Sequence, residues 1–217
     1  LELLAESNKI LYIRFMSKGE TRNENMDFFK IQHNDTDPRK GRVLVAEPFL
    51  KDSYFKRSVV ILTEHNPEGT LGFVLNNPID FQIDEILKDF PPIDSLISIG
   101  GPVRTDTVHY LHTLGHMIPE SVEIMEGVWW GGDLDVVRAG IREGWIASHQ
   151  IRFFVGYSSW HPGQLAREIG ENSWLVTEID RLDLMHGHDI RLWESILMQE
   201  DERYKMWTRY PQDPMLN

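Results

Sequence analysis

The residues best equipped for chemistry fall in a few short stretches. Gly156-Tyr157-Ser158-Ser159-Trp160 follows the Gly-x-Ser-x-Gly spacing of a hydrolase nucleophile elbow except at its last position. There, Trp160 would crowd the tight turn that an elbow needs. His161 is too close in sequence to serve readily as the base, so a structural turn is the favoured reading. His186 and His188 flank Gly187 beside Asp183 and Asp189, a set able to hold a divalent cation. The competing reading is a solvated turn with Asp189 capping the next helix. Gly100-Gly101-Pro102-Val103-Arg104 could offer backbone N–H groups to an anion, but Pro102 removes a donor and a sheet-corner turn fits better. Gly131-Gly132-Asp133 precedes a helix, the better anion geometry, yet Asp133 would cap that helix itself. His109 and His112, three apart on a strand, face opposite sides and are poorly placed to share one ion.

The elements that must position these groups alternate between strand-like and helix-like. Strands are expected at Arg42 to Glu47, Ser58 to Thr63, Leu71 to Leu75, Leu96 to Ile99, Thr107 to Thr113, Ile124 to Trp130, Ile151 to Tyr157 and Trp174 to Glu178. Asn66-Pro67-Glu68-Gly69 reads as a hairpin turn. Helices are expected at Ile83 to Phe90, Leu134 to Glu143 between Asp133 and Gly144, from Pro162 to about Gly170, and at Asp189 to Met198. Strands outnumber helices and many connections are too short for crossovers. That predicts an α+β domain with a mixed, strongly curved, barrel-like sheet flanked by helices. Val45, Val60, Leu62, Phe73, Leu75, Val155, Tyr157 and Val176 should enter the core. Trp129 and Trp130 should face opposite sides, one in the core and the other either exposed as a partner surface or covered by the C-terminal helix around Trp193. Residues 1–25 read as an extension outside the fold and 26–217 as the domain. The alternative is a docked N-terminal helix. The run Ile10 to Ile13 between Lys9 and Arg14 makes a poor signal peptide.

An ordered set of residues now identifies a family. It runs through Gly41 to Ala46, Pro48, Phe55, Arg57-Ser58-Val59-Val60, His65, Gly69, Gly72 and Asn76-Asn77-Pro78. It continues with Gly100 to Val103, Leu111-His112, Gly156-Tyr157, Trp160, Pro162 to Leu165, Glu168-Ile169 and Trp174. The chain resembles the bacterial YqgE/AlgH family. Ser158-Ser159 stands where that family usually has Ala-Gly, which would strain Ser159 if the turn required a positive φ. The resemblance implies an α+β fold, a cytoplasmic bacterial protein and no established catalysis. A transcriptional-regulator label is attached to some members. No cofactor or catalytic residue is carried over.

Composition narrows the function classes. The 217 residues contain no cysteine, which removes disulfides, thiolate metal sites and a Cys nucleophile. With 22 Lys and Arg against 34 Asp and Glu, the net charge of −12 opposes binding to bare nucleic acid. The best basic cluster, Lys51, Lys56 and Arg57, is small. No stretch of 18 apolar residues offers a membrane span. The expected function is therefore a non-catalytic binding or indirectly regulatory protein with a protein or small-molecule partner. The alternative is an undetected hydrolase or metal-dependent enzyme. If the shared turns form a surface, His65, Asn76, Asn77, Gly100, Gly101, His112, Tyr157, Trp160 and Gln164 should converge on it. His65 and His112 would be its proton carriers.

Overall fold

A computed structural model describes residues 36–50, 52 and 54–211. The expectation for residues 1–25 lies outside the described residues. Among the described residues, nine strands form one open sheet: β1 Val43–Ala46, β2 Val59–Asn66, β3 Gly69–Val74, β4 Ile97–Ile99, β5 Val103–His112, β6 Val122–Met125, β7 Val128–Trp130, β8 Ile151–Trp160 and β9 Trp174–Thr177. Their order is β6-β7-β5-β8-β3-β2-β1-β9, with β4 also pairing β8. Every pairing is antiparallel except β4 with β8. The helices are α1 Ile83–Ile86, α2 Leu134–Glu143, α3 Gln164–Gly170, α4 Arg181–His186, α5 Ile190–Gln199 and α6 Glu202–Lys205. The architecture is α+β. The sheet does not close, because β6 and β9 end the order unpaired to each other, so the barrel-like expectation is corrected.

Strand alternation sorts the apolar residues into faces. Val43, Val59, Phe73, Leu111, Val128 and Leu175 share one cluster with Leu184, Trp193 and Leu197 from α4 and α5. That cluster draws on strands from both ends of the order, so the sheet bends around it. Gly41 makes the bend visible: a Cβ there would lie 2.4 Å from the Ile124 carbonyl oxygen of β6. The opposite face divides in two. Near α1 and α2, Tyr110, Ile151 and Phe153 pack with Ile83 and Val137. Near α3, Leu44, Val60 and Val176 pack with Leu165. Of the expected core residues, Val155 and Tyr157 are half-buried and the other six are buried.

Several boundaries shift for local reasons. The expected strand Ile124 to Trp130 is a hairpin that turns at Glu126-Gly127, where Gly127 has φ +76. The helix expected over Ile83 to Phe90 ends at Ile86. Strand β8 continues through Ser158-Ser159-Trp160, where the sequence predicts a turn. Ser159 has no positive φ and carries no such strain. The turn is confined to His161-Pro162-Gly163, and Gly163 rather than Pro162 adjoins the helix as its N-cap. Helix α4, capped by Asp180, was not foreseen.

Helix α2 follows its sequence signals to the residue. The Asp133 carboxylate accepts from the N–H groups of Asp135 and Val136, and Gly144 ends the helix at φ +81. Asp133→Ala should therefore cost about 1 kcal/mol of stability by chemical denaturation, the usual value of an N-cap. An unchanged midpoint would mean that the cap contributes nothing here.

Candidate functional site

Gly156 decides which side chains reach the concave face. It sits within β8 at φ +65, where the register against β5 jumps. Before it, Arg152 and Phe154 face the main cluster while Ile151 and Phe153 face away. Regular alternation would send Tyr157 away too. The slip at Gly156 returns Tyr157 to the concave side, as a β-bulge does.

An aromatic floor results. Phe73 is buried, with His109 5.2 Å away, Trp130 6.0 Å away and Phe154 5.0 Å away, centroid to centroid. Tyr157 stands edge-on to His109 at 5.6 Å. Leu71, His109, Trp130 and Tyr157 are each only half-buried. Three strands besides β8 supply these groups: β3, β5 and β7.

The floor's histidine has a defined protonation pattern. The Thr107 hydroxyl donates to the Arg104 carbonyl at 2.7 Å, so its proton is committed. His109 Nε2 lies 3.1 Å from the same hydroxyl oxygen and must be the donor there. Nδ1 is then left as an acceptor. Burial pushes the His109 pKa below its usual value, so the ring is neutral at neutral pH. The site thus offers aromatic surface and one imidazole acceptor. Among the described residues no group of three or more His, Asp or Glu could hold a metal ion.

The residues singled out from the sequence are only partly gathered. Asn77 accepts from the Ile99 N–H at 2.9 Å, and Gly100 accepts from Val74 N–H at 2.8 Å and Ser158 Oγ at 3.0 Å. These contacts draw Asn76 to Pro78, Gly100 to Val103 and Tyr157 together. They meet through backbone, and the Asn76 amide is held at both ends: it accepts from Val59 N–H and donates to the Arg57 carbonyl, both at 2.8 Å. Gly101 is there because nothing larger fits, since a Cβ would lie 2.2 Å from the Tyr157 carbonyl carbon.

The two histidines do not join them. His65 is exposed, with Nδ1 2.7 Å from Thr70 Oγ1, and Thr70 pairs with Trp160 at the end of β8. His112 pairs with Ile151 at the start of β8. Nine residues of strand separate those positions, about 30 Å. His112 is fully buried and both its nitrogens are occupied by backbone groups.

Trp160 and Gln164 belong to a packing lock. Glu168 Oε2 accepts from the indole N–H of Trp160 at 2.9 Å and of Trp174 at 2.8 Å, while its Oε1 accepts from Gln164 Nε2 at 2.9 Å. Gln164 Oε1 accepts from His161 N–H at 3.0 Å, fixing the start of α3. Phe55 stacks on Trp160 at 6.0 Å. No elbow exists at Ser158, which is buried in mid-strand with its hydroxyl donating to Gly100. At the other candidate positions, His188 Nδ1 contacts the His186 carbonyl oxygen at 2.8 Å, and Asp189 caps α5 while pairing with Arg191.

Sequence reasoning missed Leu71, Phe73, His109 and Trp130 as site residues. The signal for His109 was available, since alternation along Thr107 to Thr113 places it on the same face as Leu111. Nothing in the sequence indicated which face would stay half open.

The comparisons with known proteins agree with this fold. The AlgH-like family model, DUF179, matches residues 43–205. The chain belongs to the AlgH-like family. Among AlgH-like relatives, a UPF0301 protein of Bacteroides fragilis is 41% identical over 196 residues, covering 90% of this chain and all of that one. A UPF0301 protein of Bacteroides thetaiotaomicron is 40% identical over the same share of each. The solution structure of the AlgH protein from Pseudomonas aeruginosa aligns with TM-score 0.63 at 27% identity, over 82% of this chain and 98% of that chain. The crystal structure of protein DIP2367 from Corynebacterium diphtheriae aligns with TM-score 0.68 at 22% identity, over 83% and 95%. That second likeness concerns the fold alone. No helix among the described residues is long and apolar enough to cross a membrane.

Proposed function

We propose that this AlgH-like protein is a non-catalytic binding protein that takes a small apolar or aromatic group on the floor formed by Leu71, Phe73, His109, Trp130 and Tyr157. Any regulatory effect then passes through that ligand or a protein partner. The observation that carries the reading is the half-open aromatic face around a neutral histidine. Concave, mainly aromatic sites with a few oriented polar groups are the usual form of small-molecule sites. The net charge of −12 argues against duplex DNA as the direct partner.

The test is tryptophan fluorescence of the full chain against pools of small aromatic and apolar metabolites, beside a duplex-DNA mobility assay at low salt. A saturable response lost in Trp130→Phe, with no DNA shift, is expected. Salt-sensitive, sequence-selective duplex binding would refute the reading.

A further inference from the structure

The loop after β5 is held shut by one histidine in one protonation state. His112, the last residue of β5, is fully buried. Its Nε2 lies 3.1 Å from the Gly131 carbonyl oxygen, an acceptor only, so Nε2 carries the proton. Its Nδ1 lies 3.3 Å from the Leu114 N–H, a donor only, so Nδ1 must be bare. The neutral Nε2–H tautomer is the one form that satisfies both. The loop it secures wraps an indole: the Trp129 ring stacks on His112 at 6.3 Å and 17°, His116 meets its edge at 6.5 Å, and a Cβ on Gly115 would lie 3.3 Å from the ring. Leu114 and Ile118 anchor the loop in the core beneath α2, while Met117 is 57% exposed.

We propose that His112 is an acid-sensitive latch: protonating Nδ1 sets it against the Leu114 N–H, frees the loop from Leu114 to Ile118, and uncovers Trp129 and the apolar residues beneath it.

The surroundings offer the imidazolium little relief. From β5, Tyr110 lies 6.1 Å away, its hydroxyl donating to the Gly132 carbonyl and its pKa pushed up to about 12, so it stays neutral. From β7 comes the uncharged Trp129, with His116 of the loop beyond it. β8 presents Ile151 as the pairing partner, and Arg152 on the opposite face adds only like charge. The segment before β8 contributes the Gln150 carbonyl, bonded to Thr113 N–H, with His149 exposed. Asp133 is the charge beside Tyr110, and its carboxylate is engaged in capping α2. Burial, opposed by the hydrogen bond to Gly131, lowers the His112 pKa.

The sign of the effect follows from linkage. In the closed loop His112 resists protonation, while in the open loop it titrates near the free value of about 6.5. The closed state is therefore fully favoured above that pH. It loses ground as pH falls from about 6.5 towards the lower pKa of the closed state, by up to about tenfold per pH unit.

The experiment follows the His112 ring nitrogens and the Leu114 amide by NMR on the full chain from pH 8 to 5, with binding of an apolar dye alongside. The Leu114 amide should move with the His112 titration, below pH 6.5, and dye binding should rise with the same midpoint. His116→Gln should leave that midpoint unchanged, and His112→Gln should abolish it. Should His112→Gln not fold, the wild-type coupling of ring and amide still decides. Titration of His112 at or above 6.5, or an acid response of equal size without His112, would overturn the proposal.

Discussion

Replacing Arg152 with methionine should lower stability by about 3 kcal/mol. Arg152 is wholly buried in β8, and among the described residues its hydrogen-bond acceptors are all neutral. It donates instead to the Leu184 and Gly187 carbonyls at 2.7 Å, to the Leu75 carbonyl, and to Ser98 Oγ at 3.2 Å. Its planar fork therefore ties the end of α4 to β4 and to the end of β3. Burial costs it dearly, pushing its pKa down to about 9. Removing the charge returns part of that cost. The Leu75 carbonyl keeps the Ser98 hydroxyl as donor, but the Leu184 and Gly187 carbonyls lose the guanidinium, at about 1–3 kcal/mol each, so the loss wins. For a chain of this size the melting temperature should fall by roughly 6–12 °C. Arg152→Lys should lose about half as much, because one ammonium keeps the charge but cannot span all four acceptors. A methionine variant as stable as wild type would show that the fork does not hold α4 to the sheet.

Gly101→Ala should come close in effect, at about 3 kcal/mol. Its Cβ would sit 2.2 Å from the Tyr157 carbonyl carbon and 2.4 Å from the Ser158 nitrogen, all backbone atoms that cannot rotate away. The start of β5 would have to part from β8 where Val103 pairs with Tyr157. Because Tyr157 belongs to the aromatic floor, ligand response and stability should both fall. Urea denaturation measures the first loss and tryptophan fluorescence the second. Wild-type stability in this variant would mean the strands can separate there at little cost.

Legibility in the sequence followed how local each determinant is. Helix α2 was readable because Asp133 and Gly144 act within one turn of their own positions. The β2–β3 hairpin was readable from Asn66 to Gly69 for the same reason. Arg152 was hidden inside an apolar run, because its acceptors are 32, 35, 54 and 77 residues away in sequence. The break between β6 and β7 rests on Gly127 alone, too weak a signal against the surrounding apolar residues. At the candidate site, Tyr157 was identified but its facing was not, since Gly156 reverses the alternation that would have placed it. Trp160, Gln164 and Asn76 stood out by type, yet their polar atoms are committed to Glu168, His161 and the β2 backbone. Their spacing specified packing rather than an open surface.

The binding reading is tested most directly by residue-resolved NMR shift mapping of the full chain as a small aromatic ligand found by fluorescence is titrated in. Saturating shifts are expected at Leu71, Phe73, His109, Trp130 and Tyr157, with the His109 ring remaining neutral at pH 7. Shifts centred elsewhere, with those five residues unmoved at saturation, would contradict it.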